Sequence, residues 1–167
     1  MAGRHSKQKG NNFERVLSKM LSEAFKNEFE VEQSFRRSVT SGSFFGGKNA
    51  HRGSKFLHEH KIDVSDILVP EKFLYNIEAK HYKEAPSFNA LITQNCKQWD
   101  KWITQIENDT KISEKKPMLV VKYDNIKPMC FIKENIVESF FAKYKEYYIY
   151  YFEDLIYSEL RLKLLEI

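Results

Sequence analysis

Apolar residues along the chain recur at two spacings, and stretches of the two alternate. Phe13, Val16, Leu17, Met20, Leu21, Ala24 and Phe25 fall three and four apart, which is one stripe of a helix. Asn11 or Asn12 stands where an N-cap belongs, and Glu14 sits in the first turn beside the stripe. Phe29, Val31, Phe35 and Val39 predict a first strand over 29–39. Thr40 to Lys61 is rich in Gly, Ser and basic side chains and predicts a loop of about twenty residues. Loops of that length in a compact domain usually carry function or no order. Two apolar runs, Ile67–Val69 and Phe73–Ile77, flank Pro70-Glu71-Lys72 and predict a β-hairpin.

Helical spacing returns over 89–107 in Leu91, Ile92, Asn95, Trp99, Trp102, Ile103 and Ile106. The other face of that helix holds Lys97, Gln98, Lys101 and Gln105, and both tryptophans belong to the core stripe. Pro117–Tyr123 reads as a short buried strand, Asp124–Lys127 as a turn and Pro128–Ile132 as a second strand. Ile136, Val137, Phe140, Phe141 and Tyr144 predict a helix over 134–147. Tyr147–Phe152 is aromatic and β-prone, and Leu155 to Leu165 predicts a last helix. This order gives an α/β fold, a mixed central β-sheet flanked by helices. Residues 1–10 read as a flexible basic arm and 11–167 as one domain.

Composition narrows the class. With 167 residues, 42% of them apolar, the chain can build one proper core. No apolar run nears the roughly 20 residues of a membrane span, and the basic N-terminus lacks the apolar stretch of a signal peptide. Cys96 and Cys130 offer neither a disulfide framework nor zinc spacing, which points to a reducing, cytoplasmic setting. Net charge is +4 but uneven: residues 1–61 hold 12 Lys+Arg against 6 Asp+Glu, or +6, and the remainder is −2. A polyanion would be drawn to the first half, where Arg36, Arg37, Lys48, Arg52 and Lys55 are candidates to hold a nucleic-acid backbone.

The hairpin carries the candidate chemistry. Asp66 opens its first run, and Glu78 and Lys80 close its second. In an antiparallel pair the start of one strand lies beside the end of the next, so Asp66 and Glu78 should be neighbours. Side chains alternate with period two, which puts Glu78 and Lys80 on one face and Ala79 on the other. Two converging carboxylates repel unless a cation sits between them, and a hard oxygen site suits Mg²⁺ or Mn²⁺. Such an ion lowers the pKa of its water and shields charge on a phosphate, and a lysine alongside can orient the water. Asp63 rivals Asp66, which is preferred because it adjoins the apolar run. His58-x-His60, with His51, lacks a fourth ligand at recognisable spacing. An exposed hairpin decorated with charge for solubility would carry similar residues.

Asp66, Glu78 and Lys80, with Ser65 before the aspartate in place of proline, resemble the PD-(D/E)XK nuclease superfamily. The stretch Lys9-Gly10-Asn11-Asn12-Phe13-Glu14-Arg15 resembles the opening of archaeal-type Holliday junction resolvases and related phage nucleases. The resemblance implies a restriction-endonuclease-like core over about 11–123, with 124–167 an α/β extension. It implies Asp66, Glu78, the Ala79 carbonyl and Glu14 around Mg²⁺, with Mn²⁺ as a substitute. It also implies catalytic roles for Lys80, Asp66, Glu78 and Glu14, and a serine near the scissile phosphate, Ser41 ahead of Ser43. A polar residue from the helix after the hairpin is a further implication, with Gln94 and Gln98 as candidates. The substrate it implies is branched DNA, cut by a homodimer. Separately, the small size and the Lys/Asn/Phe/Tyr-rich composition point to a phage or mobile-element origin. A sequence-specific or nicking endonuclease on the same core, and a non-catalytic nucleic-acid-binding protein, are the alternatives.

Overall fold

The computed structural model describes residues 2–29, 34–38, 65–136 and 140–166. Among these residues the centre is a seven-stranded mixed sheet, in the order β1-β2-β3-β4-β5-β7-β6. The strands are β1 (Arg36–Arg37), β2 (Ile67–Leu68), β3 (Tyr75–Tyr82), β4 (Lys116–Tyr123), β5 (Met129–Ile132), β6 (Ala142–Tyr144) and β7 (Tyr147–Tyr151). Neighbours run antiparallel except β3 and β4, which pair in parallel along their full length, Tyr75 beside Lys116 to Tyr82 beside Tyr123. A parallel pair needs a crossover. Here it is made by α2 (Phe88–Ile92) and α3 (Lys97–Ser113).

The sheet divides the core in two. On one side α1 (Ala2–Ala24) lays Phe13, Leu17 and Leu21 against Tyr75, Ile77 and Ala79 of β3 and Met118 and Val120 of β4. The short α4 (Phe152–Ile156) joins this side with Phe152, Leu155 and Ile156. On the other side α3 packs Trp99, Trp102, Ile103 and Ile106 on Leu119, Val121, Tyr123 and Phe131. Strand β4 is therefore apolar on both faces, as a central strand in a two-sided sandwich must be. Trp99 donates its indole N–H to the Tyr123 hydroxyl at 2.7 Å, which satisfies both polar atoms inside the core.

The hairpin forms as the sequence predicts. Ile67 pairs with Ile77, and the Phe73 N–H closes the turn on the Pro70 carbonyl at 3.0 Å. Lys115 clamps that turn from below, its ammonium donating to the Glu71 carbonyl at 2.9 Å and the Phe73 carbonyl at 2.5 Å.

Several elements differ from expectation. Helix α1 begins at Ala2 and runs through Asn11 and Asn12, where an arm and then a cap were predicted. Ala2, Gln8 and the basic residues are good helix formers, and Lys9 is tied to Asp124 at 2.6 Å. Val16 leaves the predicted stripe and is 51% exposed. The helix predicted over 89–107 is two helices, parted by Gln94 in a left-handed conformation at φ 55°.

The helix predicted over 134–147 is overturned. Residues 142–151 form a β-hairpin whose two-residue turn, Lys145-Glu146, places Lys145 at φ 52°. Its aromatics alternate rather than spiral: Tyr147 and Ile149 face α3, and Tyr148 and Tyr150 face the other way. The predicted last helix ends at Ile156, and Glu159–Leu164 continues as a 3₁₀ turn. Leu165 then pairs as a bridge with Phe73.

Candidate active site

Asp66 sits one residue before β2, on the opposite face from Ile67, which belongs to the α1-side core. Its main-chain N–H donates to the Ile77 carbonyl at 3.1 Å, continuing the hairpin pairing by one step. Its carboxylate then takes over from the ended strand: Oδ2 accepts the Ala79 N–H at 3.0 Å. A residue's N–H and C=O leave a strand on the same edge, so the Ala79 carbonyl also faces the side where β2 has stopped. Ala79's side chain is buried in the α1-side core, and its neighbours Glu78 and Lys80 project the other way, toward α3.

There Glu78 is 2% exposed. The Lys80 ammonium donates to its Oε1, and Gln105 of α3 donates to the same oxygen at 2.7 Å. Glu14 of α1 is buried at the margin of this group, where its Oε2 accepts from the Arg37 guanidinium. Arg37 also donates to Asn11 Oδ1 at 2.8 Å. Asp66, Glu78, Lys80 and Glu14 thus come from the approach to β2, from β3 and from α1 to one margin of the sheet, where they influence one another's ionisation.

The electrostatics are those of a site short of positive charge. Burial first, then Glu78, pushes the Asp66 carboxyl up to about 8, against opposing help from Lys80 and the Ala79 N–H. Burial also raises Glu78, although Lys80 pulls it down. Burial works against the Lys80 charge, but Glu78 and then Asp66 outweigh it and hold the ammonium above its ordinary range. One lysine cannot neutralise this many carboxylates in a setting where each unpaired charge costs several kcal/mol.

The donors fit a hard divalent cation. Asp66, Glu78 and the Ala79 carbonyl offer only oxygen, the ligand type that Mg²⁺ and Mn²⁺ prefer. Among the described residues no three His, Cys, Asp or Glu side chains are drawn together as a ready-made metal cluster. Glu14, expected to complete the shell, is engaged with Arg37 instead.

Other candidates fall elsewhere. Arg36 is exposed on β1, while Arg37 turns inward to Glu14 and Asn11. Ser41, Ser43, Lys48, Arg52 and Lys55 lie outside the described residues, as do His51, His58, His60 and Asp63. Gln94 bonds the main chain of Lys143 at 3.0 Å and also that of Lys145, and Gln98 accepts from Tyr123 at 3.4 Å. Neither is bonded to Glu78; Gln105 is.

Asp109, one turn beyond Gln105, was not singled out by the sequence. Burial and then Asp66 raise its carboxyl to about 6, with Lys80 opposing. It lies two residues past the helix predicted over 89–107, so helical spacing did not place it beside Gln105.

Residues 5–164 match a family described as "Phage putative PDDEXK endonuclease". No curated protein and no solved structure matches the chain. The matched span takes in the acidic hairpin, the α3 crossover and the C-terminal extension alike, and the mixed sheet is that of a restriction-endonuclease-like fold. The chain belongs to this PD-(D/E)XK endonuclease family, and is by that membership a nuclease.

Proposed function

We propose that the protein is a divalent-metal-dependent DNA endonuclease that hydrolyses phosphodiester bonds in branched DNA. The observation that carries the metal-dependent reading is the pair Asp66 and Glu78. Two buried carboxyls from adjoining strands are raised above their usual range and share a single lysine. Asp66, Glu78 and the Ala79 carbonyl would hold Mg²⁺, or Mn²⁺ in its place, with Glu14 nearest in reserve once released from Arg37. The ion would supply Lewis-acid stabilisation of the phosphate and a water of lowered pKa.

The chain's own groups do the remainder. Lys80, held protonated between Glu78 and Asp66, orients the water and stabilises negative charge on the phosphate. Gln105 fixes the rotamer of Glu78. Ala79's N–H holds Asp66 in place. Arg36, together with Lys48, Arg52, Lys55 and Ser41, would grip the phosphate backbone, which positions DNA without reading its sequence.

Branched DNA and a homodimer rest on the resemblance of the Lys9–Arg15 stretch to resolvases. Phe140 and Phe141, 39% and 56% exposed, are the proposed contact between subunits. The test is product analysis on four-way, nicked and linear DNAs with Mg²⁺. Symmetric cuts in the four-way junction with linear duplex spared would support the proposal. Equal cutting of linear duplex would favour the sequence-specific or nicking alternative. Binding without cutting anywhere would leave a non-catalytic nucleic-acid-binding protein.

A further inference from the structure

We propose that the hollow between the C-terminal end of β3 and the start of α3 receives an unpaired nucleotide base beside the scissile phosphate, stacked on Tyr82. The inference rests on the nuclease reading and specifies where that site would hold its substrate. Tyr82 follows Lys80 by two residues on the same strand, so the two side chains share a face. At about 3.3 Å per residue their Cα atoms stand roughly 6–7 Å apart. That is on the order of two base steps of about 3.4 Å along one strand. A base near Tyr82 would therefore belong to the nucleotides flanking the bond that Lys80 attends.

Tyr82 is built as a platform. Its carbonyl accepts the Asp124 N–H at 3.2 Å, and its backbone is paired in register with Tyr123, so it cannot drift from the sheet. Its ring meets buried Trp102 at 4.8 Å, which braces it from α3. Yet it is 42% exposed, while Tyr75, Tyr123, Tyr144 and Tyr147 are sealed in the core. The exposed part borders an open hollow of about 570 Å³. That volume is within the usual range of ligand pockets, roughly 300–1,000 Å³.

The lining suits a nucleotide. Tyr82 and Pro86 give apolar walls, and Asn95 and Gln98 bring amides, the groups that read base edges. Lys83 and Lys97 bring positive charge for the backbone, and Lys97 is the first residue of the long helix α3. Glu84 at the rim reaches Lys83 only at 3.9 Å, an exposed and weak pair. A base inside a duplex has both ring faces covered by its neighbours. Stacking on Tyr82 therefore requires an unpaired one, as beside a junction, flap or single strand.

The test is metal-free binding, in EDTA, of a fluorescein-labelled Y-shaped DNA with one abasic residue walked through an unpaired arm. Anisotropy reads the affinity. The wild-type chain should lose roughly 10-fold at one abasic position. Tyr82→Ala should lose a similar factor on intact DNA and nothing more at that position. Tyr82→Leu, which keeps apolar packing on Trp102 but removes the aromatic face, should match Tyr82→Ala, and Tyr82→Phe should match the wild type. A flat abasic profile in the wild type would overturn the proposal. So would Tyr82→Ala and Tyr82→Leu profiles that superimpose on the wild-type one. Failure of the nuclease reading shows separately, as no Lys80-dependent cutting when Mg²⁺ is supplied.

Discussion

Helix α3 carries two carboxylates two residues apart in opposite circumstances. Glu107 faces β5 and β7, where Lys133 sits at 2.7 Å and the Tyr147 hydroxyl donates at 2.9 Å. Burial pushes its carboxyl up, but the bonds from Lys133 and Tyr147 win and hold it below the usual range. Asp109 lies within electrostatic reach of Asp66 and Lys80, where burial and Asp66 raise its carboxyl to about 6. The first region is a finished ion network that contributes to folding. The second is a set of carboxyls, Asp66, Glu78 and Asp109, each raised by burial and by a neighbouring acid, which the fold keeps at a cost. Proteins keep such costs where a ligand will offset them, and perturbed carboxyls gathered in one place mark a functional site.

The comparison can be broken at its strongest point first. Lys80→Ala or Asp66→Asn should reduce cleavage by at least about 10²–10³-fold while leaving DNA binding intact. Single-turnover rates and filter binding check this, and full activity in either variant would sink the assignment.

Next comes stability without metal. The Asp66 carboxyl is at about 8 in the fold against an ordinary 3.8, so between those values the folded chain holds more protons than the unfolded one. Metal-free stability should therefore fall as pH rises from about 4 to about 8 and then level off. Asp66→Asn should flatten that slope and gain roughly 1–3 kcal/mol at pH 8 in urea melts. A wild-type stability curve that rises over this range would contradict the charge-poor description. At pH 8 added Mn²⁺ should raise the wild-type Tm by mass action and the Asp66→Asn Tm by much less.

Gln105→Ala tests the wall of the site. Glu78 would lose one of its two donors, and the metal concentration for half-maximal cleavage should rise roughly 10-fold. An unchanged metal titration would return Gln105 to a purely structural role.

The smallest effect belongs to the finished network. The depressed Glu107 carboxyl gives stability that is present above its unfolded pKa near 4.5 and is lost as pH falls through the folded value. Glu107→Gln should cost under about 1 kcal/mol at pH 7, because the group is a third exposed and screened by solvent. It should leave cleavage untouched.

How much could be read beforehand follows the same divide. The acidic hairpin was legible because its signals are local: Pro70 and two charges between apolar runs fix the turn, and period two then fixes which side chains share a face. The α1 and α3 stripes were legible for the same reason. Gln105 and Asp109 were not, since nothing along α3 tells which polar residue lies over Glu78; the parallel register of β3 and β4 decides it. The β6–β7 hairpin was misread because Ile136, Phe140 and Tyr144 sit four apart by coincidence. What overrides that spacing is tertiary: Ala142 and Tyr144 face α3, and the Tyr144 hydroxyl reaches Asp100 at 2.9 Å.

The crossover between β3 and β4 has one more consequence. Glu78 and Gln105 are 27 residues apart in the chain, and Arg37 reaches back 23 residues to Glu14. Contacts of that sequence separation form late, after the entropy of closing long loops has been met. A half-made polypeptide leaving the ribosome would own the acids but not their arrangement. The site would stay unassembled until synthesis had passed α3 and β4.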